Sequence, residues 1–141
     1  MGALALMATS VQALDMSIAA ADLERGATLY EAHCGICHGA QLEGQPDWRS
    51  PGPDGRLPAP PHDETGHTWH HGDRLLFDYV RMGGAEALES RGVSGFDSGM
   101  PAFGHLLSDT EIRDILAFIK STWPERIRAY QAQATENEAP G

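Results

Sequence analysis

The only two cysteines of this chain, Cys34 and Cys37, stand two residues apart in "CGICHG", and His38 follows at once. Such a pair, with no other cysteine to join it, allows three chemistries: a redox disulfide, half of a zinc site, or the anchor of a covalently bound haem. Each demands a different chain around it. A redox pair of the thioredoxin kind sits at a helix N-terminus after a strand, within a βαβ pattern. Structural zinc takes four ligands, commonly from two paired clusters. A haem needs a second axial ligand and an apolar cage downstream.

The flanking sequence reads as helices and loops. Asp22 is placed to N-cap a helix over 22–33, in which Leu23, Ala27 and Tyr30 recur at helical spacing. Gly26 lies inside it at a cost of about 1 kcal/mol relative to alanine, a cost that a second helix crossing close by would explain. Residues 40–68 hold Pro46, Pro51, Pro53, Pro58, Pro60 and Pro61 and few periodic apolar positions. That predicts a long loop, of a length that usually serves function, with Trp48, Leu57 and Trp69 as groups to pack. A second helix is predicted over 72–82, with Leu75, Leu76, Tyr79 and Val80 along one side and Gly83-Gly84 as its stop. Residues 85–104 read as loop. "SDTE" then opens the last clear helix, with Ser108 as N-cap and Glu111 as capping-box partner. It runs through Ile112, Ile115, Leu116 and Ile119 towards Pro124, and "PERIRAYQAQA" adds a short amphipathic extension.

No strand alternation and no repeat occurs, so the expected fold class is all-α, with three to four short helices and long loops. The expected organisation is an N-terminal extension over 1–20, one domain over 21–130 and a polar tail over 131–141. Helices so short bury too little apolar surface to offset the ordering of such loops. A central group is expected to fill the middle.

Without a preceding strand the redox reading has no frame. Zinc would have to recruit His33, His38 or the distant His62, His67, His70 and His71. Haem attachment explains the spacing directly: each thiol adds across one vinyl group, and the next residue is carried beneath the iron, which imidazole ligates well. A candidate for the far side stands 62 residues beyond His38, in "SGMPAFGHLLSDTE". Met100 lies there in a Gly-rich loop, Pro101 fixes the backbone after it, and Phe103 and Leu106 can pack on an apolar ring. Met82, in "RMGG", is a weaker sulfur candidate because it ends a helix.

Through "GATLYEAHCGICHG" and "GMPAFGHLLSDTEIRDILAFIKSTW" the chain resembles the class I bacterial c-type cytochromes with a single haem, over about residues 22–124. The resemblance implies a cytochrome c-like fold packed around one covalent haem c. It implies Cys34 and Cys37 as thioether anchors, His38 as proximal ligand and Met100 as distal ligand, so that His38 and Met100 hold the iron. It also implies that the first and last helices cross at a small residue facing an aromatic, with Gly26 and Tyr30 against Leu116, Phe118 and Ile119. A proline carbonyl should orient the proximal histidine, and Pro51, Pro58, Pro60 and Pro61 all qualify.

Trp48, Arg49 and Trp69 are candidate donors to haem propionates. The histidines of "PHDETGHTWHH" offer either rival axial ligands or an ordinary polar loop. Twenty acidic residues against ten basic ones give a net charge of −10, which argues against nucleic acid and against polybasic membrane attachment. The first fifteen residues resemble the end of a secretory signal without its basic start, and are too short to span a bilayer. The expected function is that of a periplasmic one-electron carrier, not an enzyme, working with redox protein partners, without stable membrane insertion, as a monomer or within a redox complex. The rival expectations are a subunit of a larger dehydrogenase or oxidase, and a gas-binding sensor with a displaceable sixth ligand.

Overall fold

Asp22 caps the first helix through its side chain, which accepts the Arg25 N–H at 3.0 Å, and α1 runs Leu23–His33. A further single turn, α2 (Gly35–His38), follows directly and closes on Gly39 at φ 85°. The structure is a computed structural model that describes residues 15–138. After the long loop come α3 (Asp73–Met82), α4 (Gly84–Glu89), α5 (Asp109–Ser121) and α6 (Glu125–Glu136). Two 3-10 turns, Ile18–Ala20 and Thr68–His70, complete the order, and among the described residues no strand forms.

The fold is therefore all-helical, as the sequence pattern predicts, with two corrections at the margins. The segment expected as loop from residue 85 opens with α4, because Gly83 at φ 85° reverses the chain and "AEALE" is built of strong helix formers. The tail expected over 131–141 is helical as far as Glu136, with Gln131 buried. The expected signal remnant lies within the extension over 1–20, of which residues 1–14 fall outside the described residues.

The frame is set where α1 meets α5. A Cβ on Gly26 would overlap the Asp114 carbonyl and touch Phe118 Cβ, so only glycine permits this approach. One turn on, the Tyr30 and Phe118 rings pack with centroids 5.7 Å apart. The expected crossing is thus present, with Asp114 and Phe118 as the facing residues at its centre. Ile112, Ile115, Leu116 and Ile119 of α5 are buried beside it, and Trp123 closes the core beyond the helix end. The predicted capping box is present: Ser108 Oγ accepts the Glu111 N–H, and Glu111 Oε2 accepts the Ser108 N–H at 2.8 Å.

A buried carboxylate pins the crossing. Asp114 accepts from Arg113 Nη2 at 2.8 Å, from Arg25 Nε at 2.7 Å and from the Asp22 N–H at 3.1 Å. Burial alone would raise its pKa, but the hydrogen bonds from Arg113, Arg25 and Asp22 outweigh it and hold the carboxyl below its ordinary value. α6 secures the other side of the molecule. The N-cap of α3 is Gly72, which offers no side chain. Thr135 Oγ1 and the Glu138 carboxylate accept the N–H groups of Asp73, Arg74 and Leu75 instead, at 3.1, 2.9 and 2.9 Å. Lys120 Nζ and Gln131 Nε2 both donate to Asp73 Oδ1, at 2.9 and 2.8 Å.

Candidate cofactor site

Cys34 ends α1, its N–H donating to the Tyr30 carbonyl at 2.8 Å, and its own carbonyl accepts from Cys37 and His38 to build α2. Both thiols are free; Cys34 is buried and Cys37 is exposed. Burial, helped by the neighbouring Cys37, pushes the Cys34 thiol up to about 11. A redox disulfide works through a thiolate of lowered pKa, so this environment is the opposite of the one it needs. Among the described residues no three His, Cys, Asp or Glu side chains converge on a common point, which leaves the zinc reading without its ligands.

His38 is buried, and its Nδ1 lies 2.8 Å from the Pro60 carbonyl. A carbonyl only accepts, so Nδ1 carries the proton and Nε2 carries the lone pair. Of the four prolines that qualify by sequence, Pro60 is the one bonded to His38. Burial lowers the pKa of His38 against the opposing Pro60 bond, which favours the neutral imidazole that metals bind. The loop is moored so that this carbonyl stays in place. Gly44 N–H donates to the His38 carbonyl at 2.7 Å, Gln45 N–H to Ala59 at 2.9 Å, and His62 N–H to Leu42 at 2.8 Å. Gly44, at φ 68°, lies so close to the Pro60–Pro61 backbone that a Cβ would collide with it.

The Met100 loop is tied to the end of α3 and the start of α4 by backbone hydrogen bonds. The Met100 carbonyl accepts from Gly84 N–H at 3.1 Å, Phe103 N–H donates to Val80 at 2.9 Å, and Gly104 N–H donates to Arg81 at 3.0 Å. The Met100 and Phe103 side chains are half-buried against the core, while Leu106 is exposed. The Phe103 ring meets the His33 ring edge-on at 6.4 Å, which joins the segment after Met100 to the residue just before Cys34. Met82 is half-buried at the last position of α3.

The remaining candidates form an aromatic belt. Arg49 lies over the Trp48 ring at 4.1 Å, and Trp48 packs on His67 at 5.1 Å. Trp69 stacks on His70 at 3.8 Å, meets Tyr130 of α6 edge-on at 5.2 Å, and donates its indole N–H to the Glu64 carbonyl at 3.3 Å. His67, His70 and His71 are members of this packing. His62 is different: its ring stacks on His38 with centroids 4.0 Å apart.

Several of these residues were not legible in advance. Asp114 and Lys120 are charged residues on the buried, mostly apolar side of α5, and that mismatch is the signal that could have found them. Trp123, whose indole N–H donates to the His62 carbonyl at 2.7 Å, gives no pattern signal at all. The donor chemistry assembled here fits an iron porphyrin. It comprises two free thiols, an imidazole with a bare Nε2, a thioether in a moored loop, and half-buried Phe77, Phe103 and Met100 against the core.

Fold and donor set together define an all-helical haem protein. The family model described as Cytochrome c matches residues 23–123, and the chain belongs to the cytochrome c family. It carries one covalently attached haem c, and its chemistry is haem-based electron transfer. Neither the curated proteins nor the solved structures contain a match to it. The match ends before α6, so the helix that caps α3 lies outside it. Among the described residues no helix is long and apolar enough to cross a membrane.

Proposed function

We propose that this chain is a one-electron carrier of the class I bacterial type, exported to the periplasm, with His/Met axial ligation and no catalysis of its own. Cys34 and Cys37 supply the two thioether sulfurs, His38 the proximal nitrogen and Met100 the distal sulfur. When bound, the haem supplies a ferric/ferrous couple that changes by one electron. The residues of the chain do the rest. Pro60 fixes the His38 tautomer and turns Nε2 outward as a ligand. The bonds from Gly84, Phe103 and Gly104 hold the Met100 loop against α3 and the start of α4, and a filled distal position excludes oxygen and peroxide. The soft thioether favours the ferrous state, which sets a higher potential than a second histidine would.

The observation that carries this reading is the 2.8 Å bond from His38 Nδ1 to Pro60, made by the residue next to two free thiols. The haem-bearing domain is proposed to begin near residue 21 and to continue through α6. Redox proteins are the partners. With a net charge of −10, docking on a basic or weakly apolar patch should give a transfer rate that falls with salt. A redox titration with carbon monoxide added to the reduced protein tests the proposal. A one-electron titration without carbon monoxide binding is expected. Ready carbon monoxide binding would replace the carrier with a sensor or enzyme, and co-purification in a stable complex would make it a subunit.

A further inference from the structure

His62 is a half-buried side chain that electron transfer does not use. Its ring stacks on the His38 ring, with centroids 4.0 Å apart and planes 28° from parallel. The Tyr30 ring meets it edge-on at 6.4 Å. Its Nδ1 lies 2.7 Å from Thr68 Oγ1, and that hydroxyl donates in turn to the Pro61 carbonyl at 3.4 Å. Thr68 is itself buried. The backbone of His62 is moored separately, its N–H on Leu42 at 2.8 Å and its carbonyl accepting from Trp123 Nε1 at 2.7 Å. One face of His38 is therefore covered by a ring held at its nitrogen, at its edge and at both ends of its peptide unit.

Two contacts then decide where His38 can point. The Pro60 carbonyl fixes the ring at one atom, which still permits rocking about that hydrogen bond. A flat group against the imidazole face removes the rocking and keeps water from that face. We propose that His62 is a positioning residue for the proximal ligand. Its ring sets the orientation of the His38 plane and keeps the proximal side dry, and so raises the preference of the iron for the ferrous state. The ring face performs this task rather than a nitrogen, since Nδ1 is engaged by Thr68. The inference rests on His38 being the proximal ligand.

The test uses the matured holoprotein and reads the midpoint potential and the ferric EPR g values. His62→Ala removes the ring but keeps both backbone moorings. Water reaching His38 then stabilises the more charged ferric state. The ferric/ferrous ratio against a fixed mediator should rise about threefold or more, which is about 28 mV at 59 mV per tenfold for one electron. The g values should broaden. His62→Phe restores the flat face and should keep the ferric/ferrous ratio within about 1.5-fold of the parent, which is about 10 mV at 59 mV per tenfold, with parent-like g values. An unchanged His62→Ala protein would overturn the proposal, as would a His62→Phe protein displaced as far as His62→Ala. Should His62→Ala fail to mature, Thr68→Val frees the ring from its nitrogen partner: broadened g values support the proposal and unchanged ones overturn it. The parent protein separates this from the underlying reading. If its low-spin ferric spectrum survives His38→Ala, the ligand assignment fails whatever the His62 series shows.

Discussion

The two sides of the proposed haem site are held by different means. On the proximal side, α1 runs straight into Cys34 and His38, and the ligand candidate is fixed by Pro60, stacked by His62 and enclosed by a loop bonded back on itself at Gly44, Gln45 and His62. On the distal side, Met100 hangs in a loop joined by two backbone hydrogen bonds to α3 and by one to the start of α4, with its side chain only half-buried. A ligand built into a helix end inherits the rigidity of the crossing behind it. A ligand in a loop inherits only the rigidity of the helix beside it, and α3 is in turn capped by Thr135 of α6 and by Glu138 just beyond its end. The proximal side should therefore fail together with the fold, and the distal side before it.

The largest expected effect comes from removing the covalent anchors. Cys34→Ala/Cys37→Ala should largely lose helical circular dichroism, because short helices and long loops have too little core without the porphyrin. A well-folded apo protein would break this expectation. Next is Asp114→Ala, which unpins α1 from α5 and leaves Arg113 and Arg25 without their buried partner. It should cost about 2–3 kcal/mol in denaturant unfolding. The lowered Asp114 pKa carries a sign. Its stabilisation is fully present above the unfolded aspartate value near 4 and is lost as pH falls through the lower folded value. The parent should lose stability across that acid window, and Asp114→Asn should show a flatter acid limb.

Met100→Ala should separate the two sides. The fold should survive with a loss of about 2 kcal/mol or less, since the side chain is only half-buried, while the reduced protein gains carbon monoxide binding. The smallest effect is at the cap of α3. Glu138→Ala should lower stability by about 1 kcal/mol, read as a small fall in Tm, and should weaken the distal side first, so that imidazole displaces Met100 at lower concentration than in the parent. Displacement at an unchanged concentration would mean that α3 does not transmit the loss of its cap.

Much of the frame could be read from the residues because it rests on local chemistry. Asp22 and Ser108 cap helices by their own side chains, Gly26 announces a close crossing, and "CGICHG" carries its histidine with it. What escaped depends on residues brought together from far apart. Four prolines could serve His38, and only the loop closure through Gly44 and Gln45 selects Pro60. "PPHDETGHTWHH" shows five candidate packers, yet nothing local separates His62, which lies on His38, from His70, which lies on Trp69. The helix α4 was hidden by the glycines on either side of its start, whereas α6 was legible in "PERIRAYQAQA" and only the burial of Gln131 was not.

The optical spectrum of the ferric protein, matured with covalent haem and paired with a pyridine haemochrome assay, tests the proposed ligand set most directly. A haemochrome of the two-thioether type is expected, with a low-spin spectrum whose far-red methionine–iron band is lost in Met100→Ala. A high-spin spectrum, or a far-red band that persists in Met100→Ala, would contradict that ligand set.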